Sequence, residues 1–175
     1  MELEEIVFQR SRNSNPAYEV LKVLEDYPTS FDSKILHYGC ENGLGLIIAA
    51  ETKEGRFIGY DSNEYNIIEA KNNKKKIEEK KLFHTNPSNI IFSNDVNTIK
   101  EEKYDLIVDS KYHEEKNNIF KKNYDLLKPG GLLMVINYKN TSNLNDCSRE
   151  SKEFFETIEF NNLPKDFYFW IGKKK

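Results

Sequence analysis

Cysteine is scarce in this 175-residue chain, and its two cysteines, Cys40 and Cys147, lie far apart. That separation matches no metal-ligand spacing, and two cysteines cannot form the dense disulfide framework of small secreted proteins. We therefore expect no disulfide scaffold, and a reducing compartment suits the chain.

Long apolar runs and a strong charge of either sign are also missing. No stretch approaches the roughly 20 apolar residues needed to cross a bilayer. The first ten residues, MELEEIVFQR, are acidic where a signal peptide would be basic and then apolar. The formal net charge of -3 gives no general attraction to nucleic acid. The sequence thus predicts a cytoplasmic protein and argues against membrane and nucleic-acid partners.

The composition, 38% hydrophobic and 31% charged, is typical of a globular protein. A chain of this length most often forms one domain. We expect that domain over 31–175, preceded by an N-terminal helical extension over 1–30. Its helix would begin at Asn15-Pro16 and end before Pro28, and it would either pack on the edge of the sheet or cover the site as a lid.

The most informative segment is 34–61, which reads KILHYGCENGLGLIIAAETKEGRFIGYD. It predicts a strand, a turn with three glycines, a helix from about Leu46 to Thr52, and a second strand that ends in Asp61. A β-α-β unit with glycines in its first turn and an acid after its second strand is typical of nucleotide-cofactor sites.

The rest of the chain supplies the remainder of a sheet. Hydrophobic patterning predicts a helix after Asp61, another near 114–127, a sharp turn at Lys128–Gly131, and strands at 89–93, 103–108, 132–137, 157–160 and 167–171. The last two strands would form a hairpin. This order predicts an α/β fold with an open, mostly parallel, doubly wound sheet and an antiparallel end.

Three acids, Asp61, Asp95 and Asp109, lie just past the ends of consecutive predicted strands. Ligands of open α/β sheets bind at the carboxyl ends of the strands. A single aspartate in such a place can be merely a turn former or a helix cap. Three at matching positions beside a glycine turn favour a ligand site.

Together these motifs resemble those of class I S-adenosylmethionine-dependent methyltransferases, over roughly Lys34–Asn137. The matching pieces are ILHYGCENGLG for the glycine motif, FIGYD for the second strand, NDV after the third, YDLIVD for the fourth, and LLKPGGLLMVI for the turn and fifth strand. The resemblance implies a Rossmann-like, doubly wound, mostly parallel seven-stranded sheet with an antiparallel C-terminal hairpin.

The resemblance also implies S-adenosylmethionine as the cofactor. The glycine turn would lie against the amino-acid part of the cofactor, Asp61 would bind the ribose hydroxyls, and Asp95 would meet the adenine amino group. Asp109 would lie near the sulfonium and the mouth of the site. The implied cofactor-binding residues are His37, Gly39, Cys40, Glu41, Gly43, Asp61, Ser62, Asp95, Val96 and Asp109.

Two residues depart from the family pattern. His37 stands where the family has an acid, and Glu41 stands where it has a second glycine. The Glu41 side chain could crowd the cofactor, or its carboxylate could replace the missing acid by pairing with the cofactor's ammonium group; we favour the replacement. His37 is either a buried, hydrogen-bonded histidine or a ligand contact.

Other cofactors fit less well. A Gly-x-Gly-x-x-Gly motif for a nicotinamide cofactor, counted from Gly43, would place Ile48 at its third glycine. We expect no catalytic metal, because Lys111 and Ile136 stand where similar metal-dependent O-methyltransferases have acids, and a divalent ion needs several oxygen ligands.

No dedicated catalytic base stands out in the sequence. Asp109 and His113 follow the fourth strand and are the candidates, although a histidine at a helix start is often only solvated. The prolines that mark base-amino methyltransferases are missing from Asp109–Tyr112, and the chain is short for the family. We therefore expect a small-molecule acceptor; the alternative for a short chain is that a partner subunit completes the pocket.

Two functional hypotheses remain. The first is an active methyltransferase, and the second is a degenerate methyltransferase fold that acts as a cofactor-sensing or protein-interaction module. The departures at His37 and Glu41 favour the second. The aromatic run Phe167–Trp170 is either sheet core or the surface of a homodimer.

Overall fold

The computed structural model describes residues 27, 29–80, 89–110, 119–138, 149–162 and 167–175. Its strands are β1 (Lys34–Tyr38), β2 (Arg56–Tyr60), β3 (Ile90–Ser93), β4 (Tyr104–Asp109), β5 (Leu127–Tyr138), β6 (Phe155–Asn162) and β7 (Phe167–Lys174). Its helices are α1 (Leu44–Thr52), α2 (Glu64–Lys80), α3 (Val96–Lys100) and α4 (Ile119–Leu126). The predicted helix at Asn15-Pro16 lies outside these residues.

The strands form one seven-stranded sheet with the order β3-β2-β1-β4-β5-β7-β6. Strands β1 to β5 pair in parallel, whereas β7 is antiparallel to both β5 and β6. The Rossmann-like α/β fold predicted from the sequence is therefore confirmed, including its antiparallel C-terminal hairpin.

The sheet is buried on both faces because the inner strands are apolar on both sides. In β1, Ile35 belongs to the core beneath α1 and α2, and its neighbour Leu36 belongs to the core beneath α3 and α4. Apolar strands covered by helices on both faces are typical of doubly wound folds. This arrangement leaves the ends of the strands as the place for a site.

The aromatic run in β7 contributes to both cores. Phe169 packs in the first core and Trp170 in the second, and they are 5% and 0% exposed. Of the two alternatives for this run, sheet core therefore applies to these two residues, because adjacent strand residues face opposite, covered sides of the sheet. The side chains of Phe167 and Tyr168 lie outside the described part of the chain.

Two local predictions are wrong. Helix α3 (Val96–Lys100) occupies a segment where no helix was predicted. The predicted turn at Lys128–Gly131 lies within β5, because that strand already pairs with β4 at Leu127 and pairs again from Leu132. The glycine-containing segment is thus a bulge in the strand, and Gly130 adopts a φ of 72° there.

Candidate cofactor site

The candidate site lies at the carboxyl ends of β1, β2, β3 and β4. The chain runs from β1 outward to β2 and β3, and it then crosses to β4 on the other side of β1. The point where the strand order reverses is where open α/β sheets bind their ligands. The glycine turn between β1 and α1 lies at this point.

The glycine turn is held by bonds from its own amides. The amides of Gly39 and Cys40 both donate to the Tyr60 carbonyl, at 2.8 and 3.1 Å, and the Gly43 amide donates to the Cys40 carbonyl at 2.9 Å. Gly39 and Gly43 have φ values of 78° and 73°, which favour glycine. Cys40 is buried, as expected for a small residue in this turn.

Packing within the protein explains why residue 43 is a glycine. A Cβ at this position would lie 2.6 Å from Phe92 Cζ and 2.8 Å from Ala70 Cβ. The resemblance implies that these glycines lie against the cofactor. At Gly43 the space of the missing side chain is instead filled by β3 and α2.

Glu41 takes a backbone conformation that favours glycine. Its φ is 49°, and among the described residues it is the one non-glycine residue whose φ is positive. Its side chain is exposed, and its amide donates to Asp61 Oδ2 at 3.1 Å. The departure from glycine is therefore accommodated at a cost in backbone strain, and it adds an exposed acidic residue to the glycine turn.

Asp61 connects the glycine turn to helix α2. Its Oδ2 accepts from the Glu41 amide, and its Oδ1 accepts from the Asn63 amide at 2.9 Å. Asn63 in turn accepts from the Tyr65 amide at 3.0 Å at the start of α2. Asp61 is only 1% exposed, whereas the adjacent Ser62 is exposed. Each carboxylate oxygen can accept a second hydrogen bond, so ribose hydroxyls fit its acceptor capacity.

Asp95 is the N-cap of α3. Its Oδ1 accepts from the Asn97 amide at 2.9 Å, and its own amide donates to Ser93 Oγ at 3.0 Å. Asp95 and Val96 are both exposed at the carboxyl edge of the sheet. The sequence carried the signal for this helix, because aspartate before a short segment with an apolar residue is a common N-cap.

Asp109 is fully buried and bonded to α4. Its Oδ2 accepts from Asn123 Nδ2 at 2.8 Å, and both residues are 0% exposed. The bond connects the end of β4 to α4. The sequence did not identify Asn123 as a partner of Asp109, although it falls on the apolar face of α4 between Phe120 and Leu126. The other catalytic candidate, His113, lies outside the described residues.

His37 is buried beside the turn and is 4% exposed. Its Nε2 lies 3.0 Å from Ser110 Oγ. Burial lowers the pKa of His37 from 6.5 to about 4, and the charge of Asp61 opposes this shift. The imidazole is therefore neutral at pH 7. Its burial and its hydrogen bond match the interpretation of His37 as a buried, hydrogen-bonded histidine. Ser110 is a partner that the sequence did not identify.

Neither a membrane helix nor a metal cluster occurs in the described ranges. No helix there is long and apolar enough to cross a membrane. The same residues contain no group of three or more His, Cys, Asp or Glu side chains that could hold a metal ion.

The sheet order and the acids around the glycine turn define a Rossmann-like protein of the nucleotide-cofactor-binding class. Comparison with known families narrows this class: residues 30–171 match the family described as methyltransferase domain. The chain therefore belongs to the methyltransferase domain family. The resemblance to class I S-adenosylmethionine-dependent methyltransferases is confirmed.

Several solved structures share this fold. An S-adenosylmethionine-dependent methyltransferase from Aquifex aeolicus has a TM-score of 0.70 and 13% identity, with 97% of this chain and 98% of that chain covered. A TehB-like S-adenosylmethionine-dependent methyltransferase from Corynebacterium glutamicum has a TM-score of 0.68 and 17% identity, with 98% and 97% covered. At such identities the similarity shows the fold alone.

A third similar structure is longer than this chain. A Bordetella parapertussis protein has a TM-score of 0.71 and 12% identity, with 90% of this chain but only 66% of that chain covered. No curated protein matches the sequence significantly.

Proposed function

We propose that this protein transfers a methyl group from S-adenosylmethionine to a small-molecule acceptor. The family and the fold support the cofactor. The observation that carries the proposal is Asp61, a carboxylate at the end of β2 that is bonded to the glycine turn. An acid in this place suits the two hydroxyls of a ribose.

The cofactor supplies an activated methyl group on its sulfonium. The protein's part in such a displacement is to align acceptor and methyl, to exclude water and, where needed, to accept a proton. Asp95 and Val96, exposed at the end of β3, are suited to the adenine ring. Asp109 fits a positioning role, because its carboxylate is buried against Asn123.

We propose a small-molecule methyl acceptor on the basis of the sequence. Asp109–Tyr112 lacks the prolines of enzymes that methylate base amino groups, and the net charge of -3 does not favour nucleic acid. We also propose a cytoplasmic location, which the two widely spaced cysteines support.

Titration calorimetry with S-adenosylmethionine and S-adenosylhomocysteine tests cofactor binding. We expect Asp61→Asn, which removes the charge but keeps the shape, to lower the affinity for both ligands at least about tenfold. Asp105→Asn is a matched control, because Asp105 lies toward the start of β4 and pairs with Lys128 at 2.7 Å. A parent protein that binds neither ligand would refute the proposal.

Label transfer tests the acceptor. The protein would be incubated with methyl-labelled S-adenosylmethionine and a cell extract divided into small-molecule, protein and nucleic-acid fractions. We expect label in the small-molecule fraction. Label confined to either macromolecular fraction would contradict the small acceptor while leaving methyl transfer intact.

A second candidate function is a degenerate methyltransferase fold that senses the cofactor or binds a protein. Two observations favour it: Asp61 is 1% exposed, with both oxygens already bonded within the protein, and Glu41 holds a glycine-type conformation. Glu41→Gly separates the alternatives. If the side chain crowds the site, the variant gains affinity for S-adenosylhomocysteine; if its carboxylate pairs with the ammonium group, as we propose, the variant loses affinity.

A further inference from the structure

The imidazole of His37 carries a polar atom without a partner. Nε2 has Ser110 Oγ at 3.0 Å, but Nδ1 is buried and has no hydrogen-bond partner within the described residues. Leaving a buried polar atom unpaired costs on the order of 1–3 kcal/mol. Such atoms are uncommon in folded proteins, and a bound water, ion or ligand is one explanation for them.

The surroundings of His37 indicate which kind of group would suit Nδ1. The imidazole is neutral at pH 7, and the nearby charge that acts on it is the Asp61 carboxylate. Glu41, whose amide bonds to that carboxylate, adds a second acid at the mouth of the turn. A neutral nitrogen near the Asp61 carboxylate favours a positively charged hydrogen-bond donor.

The contact with Ser110 is compatible with an Nδ1 that carries no proton, because a serine hydroxyl can accept a hydrogen bond from Nε2–H. The Ser110 amide donates to the Tyr38 carbonyl at 3.0 Å, so the residue is fixed against the end of β1. If Nε2–H donates to Ser110 Oγ, Nδ1 becomes an acceptor. In that tautomer the unpartnered Nδ1 offers a lone pair to a bound group.

We propose that His37 Nδ1 accepts a hydrogen bond from the ammonium group of the cofactor's amino-acid portion, in the tautomer whose Nε2–H donates to Ser110 Oγ. This inference rests on the proposed binding of S-adenosylmethionine. It gives His37 a direct binding role: the buried nitrogen is part of the site, and the bound cofactor satisfies it.

Two substitutions separate the two ring nitrogens. The amide of asparagine reaches the place of Nδ1, and the amide of glutamine reaches the place of Nε2. His37→Asn therefore keeps a candidate acceptor for the ligand but loses the Ser110 bond. His37→Gln keeps a partner for Ser110 but loses the acceptor, so each variant is the control for the other.

Affinities for two ligands give the readout. S-adenosylhomocysteine has the ammonium group, and 5′-methylthioadenosine lacks the amino-acid portion. We expect His37→Gln to bind S-adenosylhomocysteine about tenfold more weakly than the parent and 5′-methylthioadenosine within about twofold. His37→Asn should retain most of the affinity for both. Equal weakening of both ligands by His37→Gln, or no weakening, would overturn the inference.

Nuclear magnetic resonance of the unaltered protein provides a measurement that does not depend on the variants folding. With ¹⁵N-labelled histidine, the Nδ1 signal of His37 should be that of an unprotonated nitrogen and should shift with S-adenosylhomocysteine but not with 5′-methylthioadenosine. A protonated Nδ1, or equal shifts with both ligands, would refute the acceptor role. A parent that binds neither ligand would instead refute the proposed function itself.

Discussion

At the scale of single residues, His37 predicts a pH dependence of stability. Burial lowers its pKa to about 4 in the folded protein, against 6.5 for an ordinary histidine. Between these values the unfolded chain binds a proton that the folded protein does not, so stability falls as the pH falls. Urea unfolding should show a loss of about 2 kcal/mol from His37 between about pH 7.5 and pH 5.

His37→Asn provides the comparison for this prediction. Carboxyl groups also change the stability over this range, but they do so equally in parent and variant. The difference between the two curves therefore isolates His37, and the variant should lose less stability on acidification. Parallel curves for the two proteins would show that His37 does not titrate as a buried neutral group.

Glu41 shows what the sequence can and cannot establish about a residue. The sequence identified it as a departure from a glycine position, because a motif fixes which residue should stand there. Its φ of 49° and its bond to Asp61 depend on the path of the turn against β2. Those features could be obtained only from the folded structure.

At the scale of elements, Gly43 is expected to be essential for the packing of the glycine turn. Gly43→Ala combines an unfavourable φ of 73° with contacts below 3 Å to Phe92 and Ala70. Gly130→Ala is a matched control, since φ is 72° there and the nearest atom, Lys173 Cε, is 3.7 Å from the added Cβ.

We expect Gly130→Ala to lower the free energy of unfolding by about 1 kcal/mol, from backbone strain alone. Gly43→Ala should lower it by about 3 kcal/mol, because β3 and α2 must also move. Denaturant unfolding would measure both. Equal losses would show that strain, and not packing, makes Gly43 necessary.

Helices and strands could be predicted from the sequence where their signal lies in neighbouring residues. Apolar runs and punctuating glycines located the strands of the sheet. The five-residue helix α3 was missed because one apolar face residue, Ile99, is too little for a periodic pattern. The Lys128–Gly131 bulge looked like a turn because pairing between β4 and β5 depends on both strands, which local sequence does not contain.

At the scale of the whole molecule, Trp170 connects several elements of one core. Its ring packs edge-on against Phe120 of α4 at 5.3 Å and Phe155 of β6 at 5.8 Å between centroids. Its Nε1 donates to Thr157 Oγ1 at 3.2 Å. We expect Trp170→Ala to lower the free energy of unfolding by about 3–5 kcal/mol.

Thr157→Val isolates the hydrogen bond from the packing and should cost only about 1 kcal/mol. Trp170 is the single tryptophan of the chain, so its fluorescence reports on this core. Because both cores share one sheet, fluorescence and circular dichroism should show coincident unfolding transitions in the parent. Separate midpoints would show that the two faces unfold independently.

The sequence by itself determined the order of the strands, the α/β class and the acids at the strand ends, because periodicity, turns and caps are properties of neighbouring residues. Only the tertiary structure decided that Phe169 and Trp170 are core, that Asp109 bonds to Asn123, and that His37 has one unsatisfied nitrogen. These features arise between residues far apart in the chain, whose contacts exist only once the sheet has formed.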